Sequence, residues 1–159
     1  MAVNEYLARD FKFSVAVPAT TPTYIVVKGV SKWGLMEGEA KEVDVTDFDD
    51  NGWESQLIAS RKAGVTIEGN DLRDPTDGAM DPGQALIKAA ARKMGVAGTL
   101  LLKIEPKNED GGSLAGSIIG TVNVKPSATG GGNDDKMPFS YDLPFRGKPA
   151  LTGIFDPEA

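Results

Sequence analysis

The chain contains no cysteine and no histidine. Without cysteine there is no disulfide, no thiolate metal ligand and no thiol nucleophile. Without histidine the commonest general base and zinc ligand are gone, and so is any serine–histidine relay. An enzyme built from this chain would have to work through carboxylates or lysines. Positive charge is also scarce. There are 17 Lys and Arg against 23 Asp and Glu, giving a net charge of -6 and a pI near 4.7. The cations fall singly or in pairs, so no basic cluster marks a stable nucleic-acid site. Aromatic residues are 7% of the chain, with two Trp and three Tyr, which gives no obvious stacking platform. No apolar run reaches the length of a membrane span. Met1–Asp10 carries Glu5, Arg9 and Asp10 and lacks the apolar stretch of a signal peptide. The expectation is a protein without membrane contact, synthesised in the cytoplasm. Its 159 residues fit one domain, 1–159, that needs no covalent staple.

What the sequence has is alternation. Met1–Asp10 reads as a polar arm. Phe11, Phe13, Val15 and Val17 alternate with polar or small residues and predict a strand. Pro18 and Pro22 bracket a turn, and Tyr24–Val30 predicts a strand buried on both faces. Lys41–Thr46 places Val43 and Val45 opposite Glu42, Asp44 and Thr46. A polar turn, DFDDNG, follows it. Trp53, Leu57 and Ile58 then have spacings that suit a helical turn ending at Gly64, and Val65–Glu68 alternates again. Val43, Val45, Val65 and Ile67 are expected to pack inward. Asn70–Gly83 is a long loop rich in Asp, Gly and Pro. A helix is predicted from about 82 to 94, with Asp81 as N-cap, Pro82 at the first position and Gln84 completing a capping box. Leu86, Ala89, Ala90 and Met94 form its expected buried face, with Ile87 at the margin.

Beyond the helix, Thr99–Glu105, Ser113–Lys125, Met137–Phe145 and Ala150–Phe155 read as strands. Pro106–Gly112 is a charged turn, and Ser127–Asp135 is a glycine-rich loop. Pro144 suggests an edge position. The fold class is mainly β: a β-sandwich or partly open barrel of about seven or eight strands with one α-helix and long loops.

Three patterns touch on chemistry. Asp47–Gly52 matches the first half of a calcium loop, but the twelfth position is Ile58 rather than glutamate, so a turn with self-bonded side chains is expected. Gly130–Gly132 lacks the Lys-Ser/Thr ending of a phosphate loop and runs into Asn133, Asp134 and Asp135, which would repel phosphate. Neighbouring carboxylates such as Glu42 with Asp44, or Asp49 with Asp50, read as a solvated acidic face. No catalytic residue, metal site or cofactor is expected.

The order of Glu-Val-Asp-Val-Thr, a charged turn, Arg-Lys-Ala-Gly and Val-Thr-Ile-Glu-Gly resembles the central module of long-tailed phage tail tube proteins, the major tail proteins. The Asp-rich turn after Asn70, the helix opening Asp81-Pro82-Gly83-Gln84-Ala85, and the strand, Gly-rich loop and strand series continue the resemblance, from about Trp33 to Gly153. It implies a β-sandwich subunit whose hexameric rings stack into a hollow tube that carries DNA within a virion tail. Its partners would be other copies of itself and the tail tip initiator, tape measure and tail terminator proteins, with DNA passing through transiently. An acidic surface suits that role, because repulsion keeps a passing polyanion off the wall. Glu42, Asp44, Thr46, Thr66 and Glu68 are expected to face the lumen. Glu5, Tyr6, Leu7, Asp71, Leu72, Arg73, Asp74, Asn133 and Asp134 are expected at contacts between rings or subunits. The alternatives are the tube subunit of a contractile tail or related secretion machine, and a monomeric binding domain of a capsid or cell surface.

Overall fold

The computed structural model describes residues 7–107, 115–127 and 130–158. Among the described residues, nine strands form two antiparallel sheets. The first has the order β2-β1-β5-β6-β9, built from Ile25–Val26, Phe11–Ala16, Thr99–Pro106, Gly116–Asn123 and Ala150–Gly153. The second has the order β3-β4-β8-β7, built from Val30–Asp44, Gln56–Asn70, Pro138–Pro144 and Lys125–Pro126. One helix, α1, spans Pro82–Ala91 and packs beside β1 and β2. The architecture is a β-sandwich without a closed barrel.

The core follows from the period-2 alternation. Phe13 and Val15 of β1, Leu100, Leu102 and Ile104 of β5, and Ile118 and Val122 of β6 are buried from one side. Val65 and Ile67 of β4, together with Phe139, Tyr141 and Leu143 of β8, meet them from the other. Each large side chain buried in this way contributes about 1.5–3 kcal/mol relative to staying exposed. Trp33 of β3 sits edge-on to Phe11 and Phe13, with ring centroids 5.6 and 5.2 Å apart, and closes one side of the core.

The helix begins as the sequence indicates and differs in its interior. The Asp81 carboxylate accepts from the Gln84 N–H at 3.3 Å, and Pro82 occupies the first turn. Gln84 does not reach back to complete a capping box. Its side chain is fully buried, donating to the carbonyls of Lys28 and Asn70 at 2.8 Å each and accepting from the Leu72 N–H at 3.0 Å. The buried face is Gly83, Gln84, Ile87 and Ala90, whereas Met94 lies beyond the helix end and is exposed. The helix stops at Ala91, three residues short of the expected end.

Other expectations shift for identifiable reasons. Tyr24–Val30 yields only the two-residue β2, with Val26 exposed and Val27 buried, because the chain crosses there from one sheet to the other. Pro144 does not mark a sheet edge: β8 lies between β4 and β7, and Pro144 pairs with Gly64. The charged turn 106–112 and the start of the strand expected from Ser113 lie largely outside the described residues.

Candidate assembly surfaces

The largest departure from expectation is the central module. Leu57 and Ile58 are not on a helical turn. Gln56–Asn70 is one continuous 15-residue strand, paired along its length with the 15-residue β3. The inner half of this hairpin belongs to the sandwich, and the outer half extends beyond it as an arm. The exposure pattern locates the change. Val65 and Ile67 are buried, whereas Val43 and Val45, expected to pack inward, are 45% and 42% exposed. Val43 stands opposite Leu57, and Glu42 opposite Ile58. The outer half has no second sheet over it, so its apolar side chains remain in solvent.

The tip is tightly built. The Asp44 carboxylate accepts from the Thr46 N–H at 2.8 Å, and the Thr46 hydroxyl accepts from the Ser55 N–H at 2.8 Å. Hydrogen bonding from the Thr46 hydroxyl and N–H holds the Asp44 carboxyl below its usual range. Asp47 accepts from the Asp49 N–H at 2.9 Å, and Asp50 accepts from the Asp47 N–H at 3.0 Å. Asn51 and Gly52 both have positive φ, 50° and 87°, and the Trp53 N–H closes onto the Asp50 carbonyl at 2.9 Å. Two positive φ angles in a four-residue turn are the hairpin geometry that Asn-Gly favours. Thus the carboxylates of Asp47 and Asp50 in the half calcium loop serve the turn's own backbone. Among the described residues no group of three or more acidic side chains is arranged to hold a metal ion.

On this tip Phe48 is fully exposed and Trp53 is 80% exposed, with Leu57 and Ile58 below them. Grouped apolar exposure of this kind marks an interaction surface, unlike a scattered apolar residue. β3 is also the edge of its sheet, so one side of a 15-residue strand has no partner strand. An unpaired edge is a template for pairing with another chain.

The residues expected to line a lumen fall in two places. Thr66 and Glu68 lie on the outer face of the four-stranded sheet, because Val65 and Ile67 between and beside them point into the core. That face is charge-balanced over the sandwich: Glu68 stands opposite Lys32, and Asp142 opposite Lys125. Glu42, Asp44 and Thr46 are out on the arm, all exposed. Ten residues separate Glu68 from Ile58, the partner of Glu42, or about 33 Å at ~3.3 Å per residue.

Of the expected contact residues, Glu5 and Tyr6 lie outside the described residues. Leu7 is exposed, and its N–H is held by the Asp10 carboxylate at 2.8 Å. Asp71–Asp74 sit in a well-tied loop. Arg73 makes two bonds to the Asp71 carboxylate, at 3.0 and 3.2 Å, and bridges to Met80, while Asp74 accepts from the Thr76 N–H at 2.7 Å. Leu72 is partly exposed, and Asn133 and Asp134 lie in an exposed turn. The Asp71–Asp74 loop follows β4 and the tip precedes it, so the length of a 15-residue strand separates the two.

Of the cavities formed by the described residues, two are set close to the β3 strand. One, of about 310 Å³, lies at the seam between β1 and the start of β3. Phe11, Phe13 and Trp33 line it together with Arg9, Lys12, Lys28 and Lys107, and no carboxylate is among the described lining residues. The other, of about 390 Å³, lies at the base of the arm and is more apolar, with Leu35, Ala63, Ile118 and Leu151 beside Arg61 and Lys148. Sequence reading missed the arm, the exposed tip and the cationic cavity. For the arm a signal was available in Asn51-Gly52. The cavity had none, because its four cations are spread from position 9 to position 107.

Three solved structures share this fold over nearly the whole chain. The SPP1 tail tube, determined by solid-state NMR and cryo-EM, matches 96% of this chain and 81% of its own, with a TM-score of 0.66 at 14% identity. A chain of the virion of a native gene transfer agent particle matches 94% and 100%, with a TM-score of 0.62 at 13% identity. A chain of the tail of an empty gene transfer agent particle, refined with C6 symmetry, matches 94% and 98%, with a TM-score of 0.60 at 15% identity. This chain has the tail tube fold. No protein-family model and no curated protein matches the sequence.

Proposed function

We propose that this chain is a structural subunit of a phage tail tube, without catalysis. Six copies close a ring, and rings stack into a hollow tube in the virion tail through which DNA passes to the host cell. The observation that carries this reading is the fold shared with the SPP1 tail tube across almost the full chain. The unpaired edge of β3 and the exposed arm support it, because both are surfaces a monomer would leave unsatisfied. The C6 symmetry of the gene transfer agent tail supports six copies per ring.

In the ring, the β3 edge of one copy pairs beside the β8–β7 edge of the next, so the four-stranded sheets merge into one wall. The outer face of that sheet lines the channel, with Thr66 and Glu68 on the wall and Glu42, Asp44 and Thr46 further along the arm. Glu68 and Asp142 each have a cross-strand lysine, so the acidic excess of the wall comes from the arm. Leu7, the Asp71–Asp74 loop and the Asn133–Asp134 turn contact neighbouring copies. A tail tip initiator starts the tube, a tape measure protein occupies it during assembly, and a terminator caps it.

Negative-stain electron microscopy across a concentration series tests the reading, with and without an added tail tip complex. Rings or tubes of uniform diameter with a stain-filled centre are expected. Monomers that persist with the tip complex present would refute it and favour a monomeric binding domain.

A further inference from the structure

The tip of the arm and the cationic cavity match in three respects. The tip presents Phe48 and Trp53 to solvent, and the cavity is open over an aromatic floor of Phe11, Phe13 and Trp33. Residues 47–54 carry four carboxylates, Asp47, Asp49, Asp50 and Glu54, and no cation. The described residues that line the cavity include four cations and no carboxylate, in a chain whose net charge is -6. Among the described residues two carboxylates adjoin it: Glu105 is shared between Lys12 at 3.1 Å and Lys103 at 3.5 Å, and Asp81 accepts from the Lys28 N–H at 3.3 Å.

We propose that the acidic, aromatic tip of one copy's arm seats in the cationic cavity between β1 and β3 of a second copy. This rests on the tube reading and names the surface by which one copy docks on the next. The arm cannot serve its own cavity. Trp33 lines the cavity near the start of β3, and Asp47 begins the tip beyond its far end. The fourteen residue steps from Trp33 to Asp47 cover roughly 46 Å of extended chain. A rigid paired hairpin cannot fold back over that distance. The contact is therefore heterologous: one copy's tip meets the next copy's cavity, leaving a tip and a cavity open at the two ends. Such a contact adds copies along the arm direction, each displaced by roughly 40–50 Å. Charge attraction brings tip and cavity together, and burial of Phe48 and Trp53 holds them.

The absence of native cysteine gives a clean test. Asp49→Cys and Lys28→Cys single variants are mixed at concentrations that permit assembly and then oxidised. Asp49 lends no side chain to the turn's hydrogen bonds, and Lys28 uses only its backbone, so neither change removes a bond that holds the fold. A disulfide-linked heterodimer at least about tenfold above either homodimer is expected, falling as salt rises through the range that screens surface charge. Asp49→Cys mixed with Lys148→Cys reports the second cavity at the base of the arm. Linkage there instead, or heterodimer no greater than homodimer, overturns the proposal. As a second measurement, Lys28→Glu with Lys107→Glu should raise the concentration needed for assembly about tenfold or more. Adding Asp49→Lys with Glu54→Lys should restore it. Normal tubes without the 49–28 linkage would sink the docking mode and leave the tube reading intact. Strong linkage in short chains that never form tubes would support the docking mode and sink the tube reading.

Discussion

Gln84 offers the sharpest test of how the fold is tied together. Its side chain is fully buried and serves three backbone groups on three other segments: the Lys28 carbonyl before β3, the Asn70 carbonyl at the end of β4, and the Leu72 N–H in the following loop. Gln84→Met keeps the length and most of the volume and removes all three bonds. Each orphaned buried backbone group costs about 1–3 kcal/mol. Partial rehydration of the loop side lowers the sum, so the expected loss is about 3–5 kcal/mol, out of a typical total of about 5–15. With a urea slope of about 2 kcal/mol/M, the unfolding midpoint should fall by about 1.5–2.5 M. Gln84→Glu adds a sign test. The introduced carboxyl, buried between two carbonyls, has a folded pKa above its unfolded value, so the neutral form is the one the fold tolerates. Stability should therefore be best below the unfolded pKa, about 4.3, and be lost as pH rises through the higher folded value. Urea melts at pH 5 and pH 7 read both effects. A Gln84→Met midpoint within about 0.3 M of the parent, or a Gln84→Glu loss that does not grow with pH, would refute the account.

Two further outcomes follow from local geometry. Gly83→Ala puts a Cβ 2.5 Å from the Val26 carbonyl oxygen and 2.8 Å from the Val27 Cα, so α1 must lift off β2. A thermal or urea melt should show a loss of about 1–3 kcal/mol or more, and an unchanged midpoint would contradict the packing. Asp44 should titrate below 3.8, its ordinary value, in a side-chain NMR pH series, because Thr46 bonds the carboxylate. Its contribution to the turn is full above that ordinary value and is lost as pH falls through the lowered one. Thr46→Val should move the midpoint back up, and an unmoved midpoint would exclude the hydroxyl as a cause.

The sandwich was legible and the arm was not, for a physical reason. Where a strand has water on one face and a core on the other, alternation records both, so Leu100, Leu102 and Ile104, and Phe139, Tyr141 and Leu143, were placed correctly from spacing alone. Helix α1 was found through Asp81 and Pro82. Its face was misassigned because Gln84, a polar residue, is buried to satisfy backbone groups that only the tertiary structure brings near it. In the arm neither face has a core, so the alternation of Val43 and Val45 with Glu42 and Asp44 does not mark a buried side. QLIASRKA has good intrinsic helix formers, and Trp53, Leu57 and Ile58 fall at spacings that imitate a helical stripe. Pairing with β3 overrides that preference, as pairing does when a partner strand fixes the backbone. An isolated two-stranded ribbon is marginal in water. This one is held at its base by the sandwich and at its tip by the Asp47–Asp50 bonds and the Asn51-Gly52 turn. Its outward apolar residues contribute nothing to the monomer's core. A chain that keeps Phe48 and Trp53 at the end of such an arm, fixed by four residues of turn chemistry, has placed its least soluble side chains where only another molecule can cover them.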